Sequence, residues 1–458
     1  MNDITAFFAF LKYCLGYKEN MSRMIAGMNW HELYSFASKQ ALLGLCFEGI
    51  ERLGEEYPEE LRLNPIGREL LMTWMGKAQQ IRRQNRKVNI VASKLFSMLR
   101  EDRMRCCVLK GQGNALMYPN PYSRTPGDID VWIHASRERI SEYASKMFEL
   151  EDDIRLQHLE TSLNGVPVES HFFPCSMNNP IYHARLQKWF RRNADLQCSH
   201  IVGLPDGAGD IAIPTTAFNV IYQLTHLYHH FFDEGIGMRQ IIDYFLVVND
   251  FSKNVFLNND LSNHPVNFSN HPVPLSKEGS TFSPSPSSSG SGDVTAPSRC
   301  SEPLRSKDGG PSKVSPDCAG WDRLAIEGDN SAGSTTVVTS SASTALVVVQ
   351  RELKHLGLWK FAGAVMYVLH EALGLSDGKM IAPMDEKRGK LLLAEILNGG
   401  NFGQHFTKYG HFTQQGMAKK YFLKIWRNMH FVRYYPAEAL SEPIFRTWHF
   451  FWRLKHRR

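Results

Sequence analysis

The sequence predicts an α+β fold: a small mixed-sheet core flanked by N-terminal and C-terminal helical regions, the second interrupted by a disordered insertion. Three observations predict it. Apolar residues recur at three- and four-residue spacing over residues 1–100 and again beyond residue 206, the period of helices that bury one face. Between them, residues 101–205 hold short apolar runs, an alternating segment and the turn dipeptide Asn164-Gly165, the marks of strands. From about Phe251 to Thr344, Ser, Pro, Gly and Asn replace periodic apolar residues, so the segment buries too little surface to offset the entropy of ordering it.

In the first hundred residues, Trp30 to Leu53 and the long run from Gly67 to Leu99 carry the helical period. Within the second, KAQQIRRQNRK reads as the solvated face of a helix, with an RNA- or phosphate-contacting face as the alternative. The α/β part opens with RCCVL, a buried strand that stops at Lys110-Gly111, where GQGNALMY turns into a helix. A loop stiffened by Pro119, Pro121 and Pro126 leads to Asp128-Ile129-Asp130-Val131-Trp132-Ile133. Side chains alternate along a strand, so Asp128 and Asp130 share one side while Ile129 and Val131 enter the core. Two such carboxylates lie roughly 6 to 7 Å apart along the backbone, within reach of one divalent cation or a pair.

The next helix has Ser136 as its N-cap and Glu138 in its first turn. Two strands joined by Asn164-Gly165 follow, and in the second Glu169 and His171 share a face, Val168 and Ser170 the other. Residues 206–250 begin the C-terminal helical region and concentrate His226, His229, His230, Asp233 and Asp243. His226 and His230 fall on one helix face at a spacing that can chelate a metal, but the aromatic neighbours favour packed histidines. An intermediate reading lines a cleft with this helix, so that Arg239 with His226 or His230 touches phosphate. The insertion spans residues 251–345, and residues 346–458 resume the helical period. The final aromatic and basic residues suit single-stranded nucleic acid or a membrane surface, or else two helices with aromatic sides inward and cations in water. The cluster from Lys455 to Arg458 would seek an anionic partner.

A chain of 458 residues is long enough for two or three domains. Its net charge of +6 is mild for that length and does not point to nucleic acid by itself. The N-terminus lacks a basic leader and a small-residue cleavage site, and no apolar run reaches membrane-spanning length. The eight cysteines show no CxxC spacing and read as reduced thiols of a cytoplasmic protein.

Strand, glycine turn, helix and a second strand with paired acids is the order of parts in the nucleotidyltransferase superfamily, which includes DNA polymerase β. The wording Leu109-Lys110-Gly111, Tyr118-Pro119, Arg124 and Asp128-Ile129-Asp130 resembles a bacterial family of nucleotidyltransferase-like proteins. The resemblance is sharp over residues 105–175 and diffuse over the helical remainder. It departs at the turn, where Gln112 stands in place of the usual Gly or Ser after Gly111. It implies a nucleotidyltransferase core that moves an NMP group from an NTP to a hydroxyl on a small molecule, protein or nucleic acid. Asp128, Asp130 and Glu169 would be catalytic and hold Mg²⁺ or Mn²⁺. Lys110, Gly111, Gly113 and Arg124 would contact the phosphates, the glycines by letting amides at a helix start approach closely. Two other readings stand beside it: a nucleotide- or partner-binding protein on the same fold without catalysis, and a Zn²⁺ or Mn²⁺ hydrolase built on His226, His230 and Asp233.

Overall fold

A computed structural model of the chain describes residues 4–148, 156–260, 341–404 and 417–456. The N-terminal helices are α1 (Ile4–Cys14), α2 (Ser22–Gly27), α3 (Trp30–Lys39), α4 (Leu43–Glu56), α5 (Pro58–Leu63) and α6 (Arg68–Glu101). Asn29 starts α3 by accepting from the backbone N–H groups of His31 and Glu32, which would otherwise lack partners. The 34-residue α6 links two cores. Its first half buries Leu70, Trp74 and Ala78 among the other N-terminal helices. Its second half buries Val88, Val91, Leu95, Phe96 and Leu99 against the sheet. The charged interlude is largely solvated, as expected, apart from buried Ala78 and Asn85, and within it Arg82 is held by Glu48 and Glu51.

The sheet follows from β1 (Cys106–Leu109), α7 (Gly111–Ala115), β2 (Ile129–Ile133), α8 (Arg137–Met147), β3 (His158–Leu163) and β4 (Val166–His171). Its order is β1-β2-β4-β3, with β2 and β4 parallel and the other neighbours antiparallel, a mixed sheet. One face carries Cys106, Val108, Ile129, Val131 and Val168 onto α6 and α8. The opposite face carries Cys107, Leu109 and Trp132 into the larger core, where Trp132 stacks on Phe218 at 6.1 Å. Ser136 caps α8 by accepting from the Arg139 amide. Asn164 and Gly165 both take positive φ, 51° and 68°, so β3 and β4 are joined by the two-residue turn expected of that dipeptide.

Helix α9 (Pro180–Ser199) precedes a two-stranded sheet of β5 (Ile201–Leu204) and β6 (Gly209–Ala212). These strands cross the expected boundary at residue 206. The C-terminal helical region therefore begins only at α10 (Thr216–Asp233), which is followed by α11 (Met238–Asp260). Beyond lie α12 (Ser341–His355), α13 (Trp359–Leu373), α14 (Glu386–Gly399), α15 (Met417–Met429) and α16 (Pro436–His456). Of the segment expected to be disordered, residues 251–260 and 341–345 are helical, and the rest lies outside the described residues. The chain before and after it, residues 1–263 and 339–458, forms one compact unit. The aromatic-basic tail folds in a mixed way. Phe431 and Tyr435 pack against Phe231 and Phe361, yet Arg427 is also buried, donating to the Phe231 carbonyl. Trp448, Leu440 and Ile444 remain exposed. The side chains of Lys455 to Arg458 lie outside the described residues. Among the described residues, no helix is long and apolar enough to cross a membrane, and no cysteine is in a disulfide.

Candidate active site

Strand β1 delivers the chain to Lys110, whose φ of 51° and ψ of −131° lie in a region that side chains rarely adopt. Gly111 continues with φ of 41° and borders a pocket with about 60 Å³ of free space. That turn aims the Lys110 ammonium across the sheet face. Its Nζ lies 3.1 Å from Asp130 Oδ1 and 2.7 Å from His226 Nε2 on α10. Burial opposes the charge on Lys110, but Asp130, Asp128 and Glu169 outweigh it and raise its pKa.

Asp130 is 5% exposed in the middle of the face. Parallel register sets it directly beside Glu169. His171 stands between them, its Nε2 2.9 Å from Asp130 Oδ1 and 3.3 Å from Glu169 Oε2. Burial pushes the Asp130 carboxyl up, yet Lys110 and His171 together hold it well below the usual carboxylate range. Glu169 is likewise held low against burial, through His171 and His158. His171 shows the reverse balance: burial disfavours its charge, but the two carboxylates lift its pKa to about 9. Asp128 lies just before β2 at the pocket mouth, and the neighbouring Asp130 charge, reinforced by Glu169, pushes it up to about 6. The three acids expected to converge are thus on one face.

The remaining expected contacts divide. Arg124 borders the pocket, but its guanidinium is spent on Asp243, with bonds of 2.9 and 2.7 Å, while Tyr118 donates to the same carboxylate at 2.7 Å. Gly113 does not border the pocket. A Cβ there would come within 3.0 Å of Ile213 Cγ2, so its missing side chain serves packing. Gln112, the departure at the turn, is 4% exposed and donates to Asn89 of α6. Helix α7 spans only five residues, so its end carries little of a helix dipole.

On α10, burial and the Lys110 charge keep His226 neutral, so its ring accepts from that ammonium. His230 Nε2 lies 3.1 Å from the same nitrogen. Asp233 is bound instead by Lys424 and Arg446, at 2.9 and 2.6 Å, so the metal set expected from His226, His230 and Asp233 does not assemble. His229 is also held neutral by burial. Arg239 of α11 does border the pocket: it is 9% exposed, donates from Nη1 to the Thr125 carbonyl at 3.1 Å, and its buried Nε has no hydrogen-bond partner among the described residues. Sequence reasoning missed His158 of β3, paired with His171 of β4, and the anchoring role of Asp243.

No curated protein and no solved structure matches the chain. A family described as uncharacterised nucleotidyltransferase matches residues 26–262, which take in α3 through α11 and every group of this pocket except Phe402. With more than half its length covered by that match, the chain belongs to this nucleotidyltransferase family.

Proposed function

We propose that the protein transfers a nucleotidyl group from an NTP to a hydroxyl of an acceptor, with release of pyrophosphate. The observation that carries this reading is the placement of Asp130 and Glu169 side by side on parallel strands, with Asp130, Asp128 and Lys110 bordering one pocket that Glu169 itself does not line. The donor set suits Mg²⁺ or Mn²⁺, since all three ligands are carboxylates. The crowding that pushes Asp128 up to about 6 is what a divalent cation would relieve. Asp128, Asp130 and Glu169 would hold it, and when bound it would neutralise phosphate charge and lower the pKa of the acceptor hydroxyl.

The chain's own cations grip the triphosphate. Lys110 turns from Asp130 to a phosphate oxygen, and Gly111 leaves the backbone open beside it. Arg239 supplies the second contact, because its Nε is unpaired among the described residues whereas Arg124 is committed to Asp243. Neutral His226 steadies Lys110 without adding charge, and His171 orients Asp130 and Glu169. The acceptor hydroxyl loses its proton to water, its oxygen bonds to the α-phosphorus, and the bond to the bridging oxygen breaks, so that pyrophosphate leaves.

The test is incubation with Mg²⁺ and each α-labelled NTP over a panel of acceptors, beside the Asp128→Asn, Asp130→Asn double variant. Label transfer that the double variant abolishes supports the reading; absence of NTP and metal binding, or a double variant that behaves like the parent, overturns it. One observation favours a second reading, a nucleotide-binding protein without transfer: Lys110 and His171 already neutralise Asp130 from within. Triphosphate binding without pyrophosphate release on any acceptor would select it.

A further inference from the structure

Beside the aspartate pair, the same sheet face carries two imidazoles and a carboxylate in a different arrangement. The hairpin register places His158 of β3 opposite His171 of β4, and Glu160 opposite Glu169. The His158 and His171 ring centroids are 5.0 Å apart. Glu169 Oε2 lies between the rings, 3.5 Å from His158 Nδ1 and 3.3 Å from His171 Nε2. Among the described residues, His158, Glu169 and His171 form a group whose ligand atoms all fall within 4.8 Å of one another.

Those separations have a chemical meaning. Bonds of 2.0–2.1 Å to a tetrahedral ion set ligand atoms about 3.3–3.4 Å apart, close to the two distances found. The surroundings also suit an ion. Glu160 Oε1 lies 3.6 Å from the other ring nitrogen of His158, the position from which an outer carboxylate orients a ligating imidazole. The Gln157 amide lies 3.3 Å from His171 Nδ1. The Glu169 side chain is 21% exposed, which leaves a path from solvent.

We infer that His158, Glu169 and His171 form a binding site for one borderline transition-metal ion, of the Zn²⁺ type, beside the Mg²⁺ site proposed for Asp128, Asp130 and Glu169. Two imidazoles select for such an ion and against Mg²⁺, which takes oxygen ligands and keeps its waters. The site shares Glu169 with the nucleotidyl-transfer reading but does not depend on it. An ion here occupies His171 Nε2, which then no longer donates to Asp130, so Asp130 becomes available to the neighbouring pocket. The ion also ties the edge strand β3 to β4 through side chains.

The experiment uses the full chain, stripped of metal and titrated with Zn²⁺ and then Co²⁺ in millimolar Mg²⁺. One equivalent of Zn²⁺ that survives the Mg²⁺, and an intense visible Co²⁺ spectrum of low coordination number with nitrogen ligands, are the expected results. His158→Ala and His158→Asn should each lose at least about a hundredfold in Zn²⁺ affinity, with circular dichroism unchanged. Asp128→Asn should keep the Zn²⁺ site. Weak Co²⁺ absorption typical of an octahedral aquo ion in the parent protein overturns the inference without recourse to any variant, as does undiminished Zn²⁺ binding in both folded His158 variants. Loss of Mg²⁺·NTP binding with Zn²⁺ binding intact would count against the transfer reading alone.

Discussion

Arg124 and Arg239 border the same pocket, yet their surroundings assign them opposite tasks. Arg124 makes a two-pronged ion pair with Asp243, and both groups are at least nine-tenths buried. Removing it strands a buried carboxylate, so Arg124→Ala should cost about 3–5 kcal/mol of stability, read by denaturant unfolding. Among the described residues, Arg239 has one carbonyl partner and its buried Nε has none. Arg239→Gln should weaken NTP binding about ten- to a hundredfold, the worth of one charge-assisted hydrogen bond, and shift the unfolding midpoint little. Equal loss of stability in both variants would sink this division. A separate titration prediction concerns Glu438, which is 2% exposed. Burial lifts its carboxyl to about 7, although the Asn178 and Asn179 amides pull it back. Its folded pKa exceeds its unfolded one, so the folded state holds the extra proton and the associated stability is lost as pH rises from about 4.5 to about 7. Between pH 5 and pH 8 the stability of Glu438→Gln should therefore gain on the parent by about 2–3 kcal/mol, whatever the offset at the acid end. A constant difference across that range would refute the assignment.

At the scale of elements, the turn from β1 into α7 concentrates the strain and the chemistry together. Lys110 and Gly111 both take positive φ, which places the ammonium over the acids instead of along the strand. Two residues on, Gly113 meets Ile213 and has a packing role. Gly113→Val should overpack that contact and cost about 1–3 kcal/mol while NTP affinity in the folded fraction is unchanged. Lost affinity with unaltered stability would return Gly113 to the phosphate site. The β3–β4 hairpin is the other decisive element. Once Asn164-Gly165 forms a two-residue turn, counting back pairs His158 with His171 and Glu160 with Glu169. His158 was therefore legible from the turn, but only to a reader who carried the register through to the strand ends.

For the whole molecule, the sheet supplies the acids from one side while α10 and α11 close the pocket from the other with His226 and Arg239. Helix α12 joins the same core as α11, Val349 and Leu353 from the one and Tyr244 and Phe245 from the other all belonging to it. The pocket thus belongs to a unit that includes chain from both sides of residues 264–338. Replacing residues 264–338 by a short Gly-Ser linker should leave the unfolding midpoint and NTP binding nearly as they were, because the entropy of joining two fixed chain ends depends only weakly on the length of the connection. A large drop in either would show that the excised chain contributes to the folded unit.

The chain's linear order by itself determined the α+β class, the Asp128–Asp130 strand with its buried alternate residues, the Ser136 cap and the Asn164-Gly165 turn. These depend on local periods and on backbone preferences that short segments already possess. Sequence also singled out Glu169, through its place on a later strand. Only the tertiary structure decided what each charge faces. Arg124 is consumed by Asp243, 119 residues away, whereas Lys110 meets a neutral ring, that of His226, 116 residues away. Gly113 is claimed by Ile213, and Asp233 by Lys424 and Arg446. A side chain's chemical availability is set by partners that folding brings from afar, and no local pattern records which of several cations will reach a buried carboxylate.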